Sequence, residues 1–176
     1  MTIILRALRL LAIVVWVGGL IFFAFVVAPV AFNLAYIHAL PSTHEAGLVV
    51  VGTLAALHSI GEVCGAVFVF ATALLWFRSG PHRLLAVQML LVVLMIAATA
   101  YVQARIIPAM ERDRLAAGGA IEVAPPDNPA RIDFERLHDI SEKVEGSALF
   151  LGLAVVILIA AEPGLPRPAE SGQVES

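Results

Sequence analysis

His58 and Glu62 stand four residues apart, and His138 and Glu142 repeat that spacing in a second segment. Residues four apart share one face of a helix, so each pair can present an imidazole and a carboxylate together. Three kinds of chemistry fit such a stripe. It can be a polar plug, whose groups satisfy one another and hold helices in register; this is the commonest use of so short a motif. It can be a haem or transition-metal site, with His58 and His138 as symmetric ligands and Glu62 and Glu142 as further ligands or orienting partners. It can also line a path for protons or a solute. Ser141 and Glu145 extend the second stripe, and Tyr101 and Arg105 bring a phenol and a guanidinium from a third segment.

The remaining inventory is poor in chemistry. Cys64 is the single cysteine. It excludes an internal disulfide and a cysteine-based zinc motif, and reads as a small apolar packing residue. His38, His44 and His82 fall in or beside loops and read as solvated. No nucleophile elbow, phosphate loop or zinc-hydrolase motif is present. The reading therefore leans against an enzyme, assigns no catalytic residue and requires no cofactor.

The elements that must carry these residues are membrane spans. The 176 residues are 60% hydrophobic and 14% charged, against about 45–50% and about 25% in soluble domains. A soluble fold could not hide so much apolar surface, so the solvent for most of the chain is lipid. A net charge of -3 gives no reason to expect nucleic acid. A spanning helix needs roughly 20 mainly apolar residues, and four segments qualify: 10–32, 46–77, 84–104 and a short last one at 146–161, extended back to 142. The fold class is an all-α, four-transmembrane-helix bundle forming a single domain over 1–161. Residues 105–141 read as an external loop ending in an amphipathic helix over 133–145, and residues 162–176 as a disordered tail. Arg6 and Arg9 resemble the start of a signal peptide. The apolar run is too long for one, and Pro29 stands where small cleavage residues are wanted, so a retained span is expected.

Counting about 20 residues along each span from the Arg78–Arg83 turn puts His58, Glu62, Tyr101, Arg105, His138, Glu142 and Glu145 near one membrane face. An unpaired charge there is costly, so Arg105 is expected to answer Glu62 or Glu145. Gly61 and Gly65, with Trp16 and Gly18-Gly19, read as a close helix crossing. Arginines in the short turn, with no Lys or Arg in the first loop, place both termini in the cytoplasm. Arg167 would lie on the same side. A multi-pass protein of the inner (cell) membrane is the result. Its partner is the lipid bilayer, with a second copy or another membrane protein as a further option.

Two pairs of segments match. Leu57-His-Ser-Ile-Gly-Glu62 resembles Leu137-His-Asp-Ile-Ser-Glu142, and Ala24-Phe-Val-Val-Ala28 resembles Ala100-Tyr-Val-Gln-Ala104, with Pro29 and Pro108 soon after. Their common order points to two duplicated helical hairpins related by a two-fold axis along the membrane normal.

Trp16-Val-Gly-Gly-Leu-Ile-Phe-Phe23, Pro29 and the late Phe134-x-x-Leu137-His138-x-x-Ser141 resemble the transmembrane-protein-205-like family, whose members are four-helix membrane domains of unknown function. The resemblance covers all four spans and implies the fold and a membrane location. The Trp-x-Gly-Gly stretch is also similar to the copper resistance protein D family. The histidine that precedes it there is absent, since Leu10, Leu11 and Ala12 occupy that region. The expectation is thus a membrane protein with a structural or interaction role; the alternative is a haem- or metal-binding redox or transport component.

Overall fold

The computed structural model describes residues 2–80 and 82–162. Four helical rods are long and apolar enough to cross a membrane: Thr2–Tyr36, Thr43–Arg78, Arg83–Ala116 and Pro129–Ala160. They comprise α1 (Thr2–Phe22), α2 (Ala28–Tyr36), α3 (Thr43–Ser79), α4 (Arg83–Tyr101), α5 (Ile107–Ala116) and α6 (Pro129–Ala160). A π-helical turn joins α1 to α2 at Phe23–Val27, and another joins α4 to α5 at Val102–Ile106. The rods close into a ring in which α1 and α4 each pack against both α3 and α6. No strand occurs among the described residues.

The π turns have a common cause in the two prolines. Proline lacks an N–H and clashes with the carbonyl four residues back. Each rod widens its turn just before the proline, so that Ala28 N–H reaches Phe23 O and Ile107 N–H reaches Val102 O. Pro29 and Pro108 then fall in the first turn of a fresh α segment, where no intrahelical N–H is required. The helices therefore run on past the boundaries 10–32 and 84–104 expected from hydropathy. Both π turns end two residues before their proline.

The expected loop of 105–141 shrinks accordingly. α5 ends at Ala116 and is followed by Gly118 and Gly119, whose φ angles of 96° and 101° suit only glycine without strain. α6 begins behind Asn128, whose side chain accepts from Ala130 N–H at 2.9 Å. The amphipathic segment and the short last span are one helix of 32 residues, roughly 48 Å long. α3 starts with a capping box: Ser42 Oγ accepts from His44 N–H at 3.1 Å and donates to Glu45. Its 37 residues make roughly 55 Å, well beyond the ~30 Å of a bilayer core. The surplus projects at the end opposite the Arg78–Arg83 turn, termed the loop end below.

Ile13, Trp16, Phe68, Val92, Met95 and Val155 fill the centre of the ring. Phe22, Phe70, Leu90, Phe150 and Ile157 face outward, which suits contact with lipid.

Candidate functional site

His58 is wholly buried, and its imidazole joins three rods. Nε2 lies 2.7 Å from Glu145 Oε1 on α6, and Nδ1 lies 3.0 Å from Gln103 Oε1 in the second π turn. The π turn explains why the third rod contributes Gln103. An additional residue in a helical turn rotates the rest of the helix by about 100° around the axis. Gln103 is half-buried, while Arg105 and Tyr101 are exposed. The expectation that Arg105 answers Glu62 or Glu145 is thus corrected: Glu145 is paired with His58, and no ion pair forms at Arg105 among the described residues.

The other candidates are dispersed. Glu62, one turn along α3, is half-buried and makes no hydrogen bond among the described residues. His138 is 53% exposed and pairs with the exposed Glu142 at 3.3 Å on α6 itself. Its ring stacks on Phe134 with centroids 6.4 Å apart. Ser141 is buried, but its hydroxyl donates to His138 O at 2.7 Å. The expected cluster is therefore divided: His58 and Glu145 meet in a buried joint that Gln103 completes, and His138 and Glu142 form a surface pair on α6. Among the described residues, no three His, Cys, Asp or Glu side chains are grouped so as to hold a metal ion.

Beside the joint lies the helix crossing. Trp16 is 1% exposed. Its indole covers Gly61, and a Cβ built on Gly65 would lie 2.9 Å from Trp16 Cζ3. Gly19 faces Leu57. Gly18, expected in the same crossing, is exposed with nothing within 4 Å of its Cβ position.

A second buried polar group closes the opposite end of the ring. Arg9 is 1% exposed. Nη2 donates to Glu162 Oε1 at 2.8 Å and also to Gln88 Oε1, and the guanidinium carbon stands 5.1 Å from the Phe68 ring centroid. Arg6 Nε lies 4.0 Å from Glu162 Oε2. Arg9 thus ties the start of α1 to α3, α4 and the end of α6. Glu162, expected within a disordered tail, is docked; the rest of that tail, with Arg167, lies outside the described residues. In the sequence Arg9 stands out only as part of a signal-like start to the first span, and Gln88 and Gln103 carry no expectation. Both glutamines could have been found, because an uncharged polar side chain within an apolar span also needs an internal partner.

No curated protein and no solved structure matches the chain. A family model described as a domain of unknown function, DUF4149, matches residues 11–116, which hold the Trp16 crossing, His58 and Gln103 but stop short of Glu145. With more than half of its length matched, this multi-pass, all-α chain belongs to the DUF4149 family.

Proposed function

We propose that the chain is a non-enzymatic membrane protein whose buried polar joints fix the register of its four rods, so that it acts by structure or interaction. One observation carries this reading: both ring nitrogens of His58 are committed within the bundle, to Glu145 and Gln103. A haem or metal centre would need His58 and His138 to converge with free nitrogens, and His138 stands exposed and paired with Glu142 of its own helix. The likeness to the transmembrane-protein-205-like domains supports the same reading; the likeness to copper resistance protein D would support the metal alternative, but the histidine that precedes the Trp-x-Gly-Gly stretch there is absent here. Duplication of a hairpin accounts for the paired π turns, with one histidine having kept a buried partner and the other not.

The test is a mutant cycle read by unfolding in nanodiscs. His58→Leu or Glu145→Leu alone leaves a buried polar partner unsatisfied and should lower stability by about 1–3 kcal/mol. The double change should recover most of that loss. A structural role fails if the two single losses simply add. If the histidines held a haem or metal, either His58→Leu or His138→Leu alone would abolish the bound species, read by absorbance and metal analysis.

We also infer that both ends of the chain face the cytoplasm of the cell, with the loop end outside. The exposed arginines Arg78 and Arg83 flank the short turn and favour the cytoplasmic side. Reporter fusions at Ser42 and Asn128 should be external and one at Ser79 internal. An external Ser79 fusion would reverse the orientation.

A further inference from the structure

We propose that the chain pairs with a second copy of itself in the membrane, with Glu62 of each protomer answered by Arg105 of the other. The motive is two charges that the fold leaves unanswered. Glu62 is half-buried in α3, and Arg105 is exposed in the second π turn. Neither makes a hydrogen bond or an ion pair among the described residues. Around them, Glu145 is taken by His58 and Glu142 by His138. Glu62 lies about 24 Å along α3 from Arg78, inside the ~30 Å of hydrocarbon. A lone carboxylate at that depth is costly, and lipid tails offer it no counter-charge.

The two groups reach toward one level. Arg105 lies about 33 Å along its rod from Arg83, somewhat nearer the loop end. The Cα–Cβ bond of a helical residue tilts toward the helix N-terminus. α3 begins at the loop end, so Glu62 leans that way; α4 begins at the Arg78–Arg83 turn, so Arg105 leans back into the bilayer. Within one chain they stay apart, since the third rod turns Gln103, not Arg105, toward α3. Each copy thus carries one unanswered acid and one unanswered base on neighbouring rods at the same end. A two-fold axis along the membrane normal lays these rods of one protomer against those of its partner. In such a contact, residue i meeting j is matched by j meeting i. Both charge pairs then form at once, and neither charge is left over. A different protein would need to supply both complements at the same depths, whereas a second copy already holds them. The surface around the charges admits close approach. Val93, Ala97, Tyr101 and Arg105 recur every fourth residue on the exposed side of the third rod, and the exposed Ser59 and Ala66 flank Glu62 on α3. Small residues such as Ala97, Ser59 and Ala66 let membrane helices come together. The Ser59 hydroxyl donates to Ala55 O at 3.1 Å, so it makes no demand on the partner.

The experiment uses the whole chain in lipid vesicles, one population carrying a donor dye at the N-terminus and another an acceptor. Energy transfer is followed as the protein is diluted with lipid. Wild type should show transfer that falls on dilution, as a reversible dimer does. Glu62→Arg or Arg105→Glu alone sets like charges opposite each other at both contacts and should weaken association about tenfold or more. Glu62→Arg combined with Arg105→Glu should restore it. Glu62→Gln keeps the shape without the charge and should also weaken association, which covers the case in which Glu62→Arg fails to insert. A wild type that stays monomeric at every dilution overturns the proposal. So do single variants that associate as wild type does, or a double swap no better than the singles. A photo-crosslinker at position 66 in native membranes should join two copies; adducts formed only with another protein would also sink it. None of these outcomes decides the buried joint of His58, whose mutant cycle is read separately.

Discussion

Replacing Arg9 by leucine is expected to lower stability by about 3–5 kcal/mol, the range for removing one partner of a buried ion pair. The guanidinium is 1% exposed and touches three other rods through Glu162, Gln88 and Phe68. Its loss strands Glu162, 11% exposed, at the C-terminal end of α6, where the helix dipole already disfavours a carboxylate. Arg6, at 4.0 Å from the same carboxylate, can make up only part of the deficit. Arg9→Lys should fall between, since an ammonium keeps the charge but loses the planar fork and the stacking on Phe68. The pair itself need not be stabilising. Arg9→Leu combined with Glu162→Leu should recover most of the single loss, because no buried charge is then left alone. Unfolding midpoints of the two single variants and the double variant in nanodiscs decide the matter. Strictly additive losses would show that Arg9 and Glu162 act separately.

Arg9 also shows what the sequence could and could not disclose. Four apolar spans are legible from hydropathy, because the membrane imposes length and composition on each rod. Proline positions reveal that something must happen near Pro29 and Pro108, and the structure answers with π turns. The partner of a given polar side chain is a different matter. His58 and Glu145 could be named from their spacing and depth, but their pairing depends on how α3 and α6 rotate in the ring. Gln103 in place of Arg105 depends on one inserted residue in a turn. Arg9 reads as the charged start of the first span, and its burial depends on Glu162 folding back over it. Hydrophobic periodicity is weak guidance here, because lipid-facing and buried sides are both apolar.

Small residues were easier to read, and the sharpest packing test lies among them. Gly61→Ala is expected to lower stability by about 1–3 kcal/mol, the usual range for overpacking, although alanine favours a helix by about 1 kcal/mol over glycine. A methyl on Gly61 would overlap Trp16 at Nε1, Cε2 and Cδ1, the five-membered edge of the indole. The ring is buried to 1% and packed within the central core, so it has nowhere to retreat unless α1 and α3 part. Phenylalanine lacks that edge. In a Trp16→Phe background the same Gly61→Ala change should therefore do much less harm, even though Trp16→Phe is itself destabilising through the space it leaves. Gly18→Ala serves as the control two residues along α1 from the indole. Its Cβ position meets nothing within 4 Å, so it should be neutral or slightly stabilising. Unfolding measurements on these variants give a coupling energy between positions 16 and 61. A Gly61→Ala loss of the same size in both backgrounds would place the strain elsewhere than the indole edge, and would overturn the view that Trp16 on Gly61 sets the approach of the two rods beside His58.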